Sequence, residues 1–364
     1  MIVGVLGGGQ LARMLALAGY PLGLEFIFLC PDRDACAVPL GEHLQADFDD
    51  ESALISLAER ADVVTYEFEN VPLKSVEFLA GRVPVHPSPQ ALATAQDRLR
   101  EKRLFREMGI PTPAFAPVDS LAELQQAVAE IGLPAVLKTR CMGYDGKGQA
   151  LLRHPDDLLP AWESLHGVPA IVEAFIRFER EVSIIAVRDP AGKTMFYPLS
   201  ENTHRDGILR LSLSRPGDPM QAQAEAHAQR LLDDLDYVGI LALEFFQMNE
   251  ALLANEFAPR VHNSGHWTIE GDETSQFENH LRAVLGLPLG TPTPVGVAAM
   301  VNFISMLPSH TEVLALPQVH LHAYGKSPKP GRKVGHATVR TDDARRLEQL
   351  VTPLLVLAEA ADAE

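Results

Sequence analysis

Thirteen residues, Asn255-Glu256-Phe257-Ala258-Pro259-Arg260-Val261-His262-Asn263-Ser264-Gly265-His266-Trp267, gather two carboxamides, a carboxylate, an arginine, two histidines and a serine. An apolar run, Ala251 to Ala254, leads into them. Twelve residues before Glu256, a second carboxylate, Glu244, interrupts the apolar stretch from Gly239 to Phe246. Ionised carboxylates on buried strands are costly unless a cation or partner compensates them. The polar turn around Met248-Asn249-Glu250 joins the two runs as a hairpin, and a three-residue turn sets Glu244 across from Glu256. Like charges facing each other destabilise a strand pair. A magnesium ion between them reverses that sign, since magnesium takes one or two carboxylates together with substrate phosphates. The pair reads as a metal–nucleotide site.

Upstream, Arg140-Cys141-Met142-Gly143-Tyr144-Asp145-Gly146-Lys147-Gly148-Gln149 links two apolar runs. Its glycines allow backbone amides to wrap a triphosphate, although a plain flexible hairpin would use them equally. The spacing is not that of a Walker A loop. Lys138 lies in an apolar run, where a lysine needs an anion. Glu173 and Glu181 lie where an adenine amino group and a ribose could be held, or else are solvated carboxylates. Lys326, Lys329, Arg332 and Lys333 cluster around a Pro-Gly turn and suit a phosphate, with a solvated charged turn as the plain alternative. His262 reads as functional. His266 stands between function and core, and Trp267 reads as packing.

The elements that must position these groups begin with a β–turn–α unit: a strand from Ile2 to Leu6, Gly7-Gly8-Gly9, then a helix from Gln10 to Ala18. Further strands are expected at 26–30 and 63–69, with a helix near 51–60. That alternation means a parallel sheet covered by helices. Gly7-x-Gly9-x-x-Ala12 with Asp32 after the next strand fits a dinucleotide fingerprint. Such a turn also serves another phosphate, or no ligand at all. One helix is expected over 90–108, and Gly109-Ile110-Pro111-Thr112-Pro113 marks a domain boundary. The predicted domains are 1–112, 113–173 and 174–364. The last is strand-rich, with one clear helix over 221–235 and a final helix from about 342 to 361.

The totals set limits. The chain has 364 residues, enough for two or three domains. Its net charge of −17 argues against nucleic acid as a partner. Cys30, Cys36 and Cys141 are too scattered for a disulfide framework or a zinc site. No run approaches the length of a membrane span, and no signal is read at the start. A cytoplasmic globular protein is the expectation.

Together these segments resemble the ATP-grasp enzymes, which hold ATP between the sheets of a small central and a C-terminal domain. Residues 7–14 (GGGQLARM), Gln96-Asp97-Arg98, 143–149 (GYDGKGQ), 204–210 (HRDGILR), 255–267 and 330–336 (PGRKVGH) further resemble the 5-(carboxyamino)imidazole ribonucleotide synthetases. That resemblance runs the length of the chain in the right order. It implies an α/β ATP-grasp fold: a Rossmann-like parallel-sheet pre-ATP-grasp domain, a small central α/β lid, and a larger C-terminal α+β domain. It implies ATP-dependent carboxylation of 5-aminoimidazole ribonucleotide by bicarbonate through carboxyphosphate, in purine biosynthesis, by a homodimer.

By the same resemblance, ATP is held by Arg98, Lys138, Gly143, Tyr144, Asp145, Gly146, Lys147, Gly148, Gln149, Glu173, Ala174, Phe175, Ile176, Glu181, His204, Asn255 and Glu256. The ribonucleotide falls to Gln10, Leu11, Glu67, Tyr144, Asp145, Arg260, His262, Asn263, Ser264, Lys326, Arg332 and Lys333. Arg260, Lys147, His262 and Asn263 are the catalytic candidates, and Glu244 and Glu256 hold Mg2+. Another purine ATP-grasp ligase, a formate-dependent transformylase, or a non-catalytic nucleotide-binding regulator on the same fold are the rival readings, followed by an NAD oxidoreductase.

Overall fold

The structure, a computed structural model, describes residues 1–143 and 148–363. Its strands form three sheets of four, nine and four strands. The first is wholly parallel: Glu42–Leu44, Glu25–Leu29, Ile2–Leu6 and Val63–Tyr66 lie side by side in that order. Apolar residues fill Ile2–Leu6 almost without interruption, as a strand covered on both faces requires. The helix Gln10–Gly19 packs over it, starting directly after the triple-glycine turn.

The central sheet orders Phe115–Val118, Ala170–Ala174, Ala135–Thr139 and Gln149–Leu152, all antiparallel, with helices Leu121–Ile131 and Leu158–Ser164 closing its core. The largest sheet runs from the hairpin Ala251–Ala258/Gly239–Met248 through Arg180–Arg188, Leu199–Arg205, Ile208–Arg215, Val297–Ile304 and Lys333–Thr341 to Val319–Ala323. Thr194–Phe196 adds to Arg180–Arg188. The final helix, Ala344–Ala363, packs its apolar residues on Val297–Ile304 and Lys333–Thr341, as expected. No helix among the described residues is long and apolar enough to cross a membrane.

Two expectations need correction. The single helix expected over 90–108 is two helices, Pro89–Ala95 and Arg98–Glu107. Asp97 turns its carboxylate onto the amides of Leu99 and Arg100, at 2.9 and 3.4 Å, so the second helix starts afresh. Gln96 reaches across to the carbonyls of Glu69 and Val71, 2.7 Å each. The break puts Arg98 at a helix start facing the large sheet. Second, the C-terminal region holds a helix besides the two expected over 221–235 and 342–361. Gln276–Val284 is helical, and it buries Gln276, Asn279 and His280 along with its apolar residues, which hides the usual apolar period.

Asp272 sits beyond a short helix, paired with Pro294, and both its carboxylate oxygens are buried without a partner. Burial alone pushes its pKa from 3.8 to about 8. The folded chain therefore keeps a proton there that the unfolded chain has already released. Stability from this site is full below about pH 4 and is lost as pH climbs towards 8. Asp272→Asn removes the ionisable group, so its melting temperature should fall less than the wild type's between pH 5 and 8. Parallel profiles by calorimetry would show that Asp272 is paired in solution.

Candidate active site

Glu244 and Glu256 are cross-strand partners in the hairpin. The route to that register differs from the expected three-residue turn. Met248 pairs with Ala251, so the turn is only Asn249-Glu250, with Asn249 in the left-handed region at φ 51°. The register then shifts between Glu244 and Phe245, where Asn255 is the extra residue of a bulge. One bulged residue restores the facing of the two carboxylates.

They line a cleft of about 710 Å³ where the three sheets converge. Of the expected residues, Gln10, Leu11, Glu67, Arg98, Lys138, Gly143, Gln149, Glu181, His204, Asn255, Arg260, His262, Asn263 and Lys333 share that lining. Tyr144, Asp145, Gly146 and Lys147 lie outside the described residues.

Burial and the charge of Glu256 push Glu244 up to about 7. Burial acts on Glu256 in the same sense, yet it is held down at about 2 because Arg98 Nη1 lies 2.6 Å from its carboxylate and Lys138 and Lys102 stand nearby. The pair is thus split, one carboxylate pinned as an anion and the other close to neutrality. Glu101, one helical turn from Arg98, accepts the amide of Phe257 at 2.7 Å. Burial and then Glu256 push its pKa to about 8.

Glu173 does not line the cleft. It is 2 % exposed, and Lys102 and Lys138 reach one of its oxygens at 3.4 and 3.1 Å. Lys102, fully buried, also donates to the carbonyl of Ala254 at 3.3 Å. Lysines from two elements thereby tie the central sheet to the hairpin. Ala174 ends that strand, Phe175 is 40 % exposed, and Ile176 follows it. Gly148 closes the loop at φ 70°, where a side chain would strike Thr139. Glu181 contacts His204, whose pKa is raised: burial opposes the shift, and the hydrogen bond to Glu181 and the charge of Glu244 outweigh it.

His262 is held at both backbone and ring. The Gln276 carboxamide accepts from its N–H at 2.9 Å and donates to its C=O at 2.6 Å, as a strand neighbour would. Its Nδ1 meets Ser264 Oγ at 2.9 Å and its Nε2 meets Glu244 at 3.2 Å. Ser264 is fully buried and faces the interior. Arg260 pairs with Glu69 at 2.7 Å. Asn263 and Asn302 exchange reciprocal carboxamide bonds at 3.1 and 2.7 Å. His266 is fully buried against Phe277 and His336, and Trp267 donates inward to Ser200 at 2.8 Å.

At the glycine turn, Glu67 accepts from the amides of Gly9 and Ala12. A carboxylate of the chain itself thus occupies the helix N-terminus where a dinucleotide would place its pyrophosphate. A side chain at Gly7 or Gly9 would collide with Glu67. Lys326 donates to Gln10 Oε1, whereas Arg332 is half-buried and bonded to Ser327 at 3.1 Å. Only Lys333 of that basic cluster lines the cleft.

Sequence reasoning missed Lys102, Glu101, Glu69, Gln276 and Asn302. Lys102 was recoverable, four residues after Arg98 and so on the same helix face. Gln276 carried no signal beyond being polar.

Three family models match the chain: a ribonucleotide synthetase preATP-grasp domain over 1–96, an ATP-grasp domain over 103–277, and a phosphoribosylaminoimidazole carboxylase C-terminal domain over 298–350. The N5-carboxyaminoimidazole ribonucleotide synthase of Pseudomonas aeruginosa is 56% identical, across 99% of this chain and all of that protein. That of Vibrio cholerae is 42% identical, across 97% of this chain and 96% of its own. The crystal structure of N5-carboxyaminoimidazole ribonucleotide synthetase from Thermus thermophilus superposes with a TM-score of 0.94 at 56% identity, covering 98% of both chains. The Aspergillus clavatus enzyme, solved with ADP and 5-aminoimidazole ribonucleotide, gives 0.91 at 31% identity over 99% of this chain and 98% of that one.

The Gln276 clamp makes a direct prediction. Gln276→Glu keeps the shape but sets a carboxylate oxygen against the carbonyl of His262. Loss of that donor should cost about 1–3 kcal/mol, read as a lower urea midpoint at unchanged slope. An unshifted midpoint would mean that the clamp adds nothing to stability.

Proposed function

Because the chain belongs to the N5-carboxyaminoimidazole ribonucleotide synthase family of ATP-grasp ligases, we propose that it carboxylates 5-aminoimidazole ribonucleotide with ATP and bicarbonate, releasing ADP and phosphate. The observation that carries this reading is the facing pair Glu244 and Glu256 in a cleft that also presents Arg98, Lys138, Arg260 and Lys333. Those are the charges needed where a triphosphate meets a second anionic substrate. The P. aeruginosa relative supports the same activity over its full length.

Bicarbonate is a weak electrophile. Transfer of the ATP γ-phosphoryl group gives carboxyphosphate, and the amine of the ribonucleotide then bonds to its carbon, or to the carbon dioxide it releases, as phosphate leaves. Each step involves anions approaching anions, so positioned cations matter most. Arg98 and Lys138 face the nucleotide end of the cleft, and Arg260 stands at the carboxyphosphate end. Arg260 is anchored by Glu69, so its orientation is set before substrate arrives. Water must be kept from carboxyphosphate, which fits the 113–173 unit serving as a lid.

The residues also fit magnesium. Glu244 and Glu256 face each other, burial and the charge of Glu256 raise the pKa of Glu244 to about 7, and the buried Oδ1 of Asn255, next to Glu256, has no partner among the described residues. Among the described residues no set of three ligands stands ready for a metal, and two carboxylates completed by phosphates need none. Bound there, magnesium would neutralise the phosphate charge. We read Gln10, Leu11, Glu67, His262 and Asn263 as the ribonucleotide side, with Lys326 and Lys333 towards its phosphate. The three sheets correspond to domains 1–112, 113–173 and 174–364, and a cytoplasmic homodimer completes the reading.

Product formation should require ATP, bicarbonate and the ribonucleotide together, with ADP matching product. ADP release at full rate without the ribonucleotide, and no carboxylated product with it, would overturn the assignment. Glu256→Gln removes the anion that Arg98 now fixes. Turnover should fall more than about tenfold, at least 1.4 kcal/mol of barrier, and the melting temperature should fall as Arg98 loses its partner. A variant retaining more than that would remove Glu256 from the metal site.

A further inference from the structure

The far end of the final helix reaches two segments that border the cleft. Asp362, in the last turn of Ala344–Ala363, accepts from Ser305 Oγ on one oxygen at 2.8 Å and from Arg210 Nη1 on the other at 2.6 Å. Arg210 adjoins Leu209, which lines the cleft together with Gly207. Ser305 follows the strand Val297–Ile304 and faces the Pro-Gly turn that leads into Lys333.

Ser305 holds that turn with every polar group it has. Its N–H donates to the Arg332 carbonyl at 2.8 Å, and its own carbonyl accepts from the Lys329 N–H at 3.1 Å. Its hydroxyl oxygen accepts from the Gly331 N–H at 3.1 Å. The backbone there is left-handed, at φ 63°, and the Met306 N–H returns to the Ile304 carbonyl at 2.7 Å. A residue other than glycine keeps such a conformation only where its surroundings dictate it. Residues 327–331 are exposed, so polar ties rather than apolar packing must fix this turn. The two segments also meet, since a side chain at Gly331 would come to 4.0 Å from Ile208.

A hydroxyl has one proton to give. Given to Asp362, it leaves the lone pairs of Ser305 Oγ for Gly331, so the carboxylate sets which way the serine serves the turn. A charged acceptor makes the stronger bond, and Arg210 fixes the position of that acceptor. Resting on the reading of Lys326 and Lys333 as the phosphate end of the ribonucleotide side, we propose that Asp362, acting through the Ser305 hydroxyl, is a positioning residue that sets the 326–333 turn for the substrate's phosphate. Arg98 and Lys138 stand on other elements, so the nucleotide end of the cleft is independent of this tie.

Steady-state kinetics on the full chain, each substrate varied in turn, test the proposal. Asp362→Ala and Ser305→Gly should each raise KM for 5-aminoimidazole ribonucleotide about five- to tenfold, with kcat and KM for ATP within about twofold. Glycine suits the left-handed position, so the second variant removes the hydroxyl while easing the backbone. Both act through one link, so the double variant should match the weaker single. Hydrogen exchange adds a readout that needs no substrate: the Gly331 amide should be slow in the wild type and fast in both variants. A wild-type ribonucleotide KM in either folded variant overturns the proposal. So does an equal rise in both constants, the mark of a merely structural tie, or a fast Gly331 amide in the wild type. Should neither variant fold, the wild-type amide decides. Failure of the wild type to carboxylate the ribonucleotide, beside a slow Gly331 amide, would count against the proposed reaction alone.

Discussion

Two carboxylates held face to face on adjoining buried strands are the constraint on which the rest of this molecule turns. Facing like charges destabilise a hairpin, and this one resolves the conflict by asymmetry. Arg98 claims Glu256 at 2.6 Å, and burial raises the pKa of Glu244 to about 7, with His262 at 3.2 Å and His204 and Arg260 drawing it back. Arg98 can reach because Asp97 breaks a helix one residue earlier. The site's electrostatics therefore depend on a helix start from outside the large sheet.

The same logic ties the three sheets. Glu173 of the central sheet is surrounded by Lys138 of its own sheet and Lys102 of the Arg98 helix, and Lys102 also bonds Ala254 in the hairpin. A buried ion pair gives little net stability but is costly to break singly. Such a network favours one relative placement of the sheets over its neighbours. Burial opposes the ionised form of Glu173, yet the two lysines hold it at about 2, while burial lowers the pKa of Lys102 in turn.

Much of this was legible in the sequence. The parallel first sheet followed from alternating apolar strands and helices, and the Glu244–Glu256 facing from two apolar runs of known separation. The bulge at Asn255 was not, because an odd register can come from a three-residue turn or from a two-residue turn plus one extra residue, and both read alike as sequence. The helix break at Asp97 was missed since helical propensity runs through it, and only the side-chain cap decides. Gln276 and Asn302 escaped for a different reason. Their roles are set by partners more than thirty residues distant or on another element, which local patterns cannot report. The basic turn was overread: a charge cluster in sequence became Lys333 in the cleft, Lys326 on Gln10, and Arg332 turned to Ser327.

The glycine turn shows how one local pattern can be assigned by a residue far from it. Gly7 to Ala12 has the shape that brings a phosphate onto a helix N-terminus. Glu67, arriving from the end of the fourth parallel strand, already fills that position with its carboxylate. Burial raises its pKa, while the amides of Ala12 and Gly9 and the nearby Lys326 and Arg260 pull the other way. A free phosphate would meet that carboxylate at close range, so the helix end is unavailable to a dinucleotide. What the turn offers the cleft instead is Gln10 and Leu11, set in its wall beside Glu67. The motif keeps its geometry but holds Glu67 at the helix end, and Arg98, Lys138 and Lys333 line the cleft from the Arg98 helix and the other two sheets.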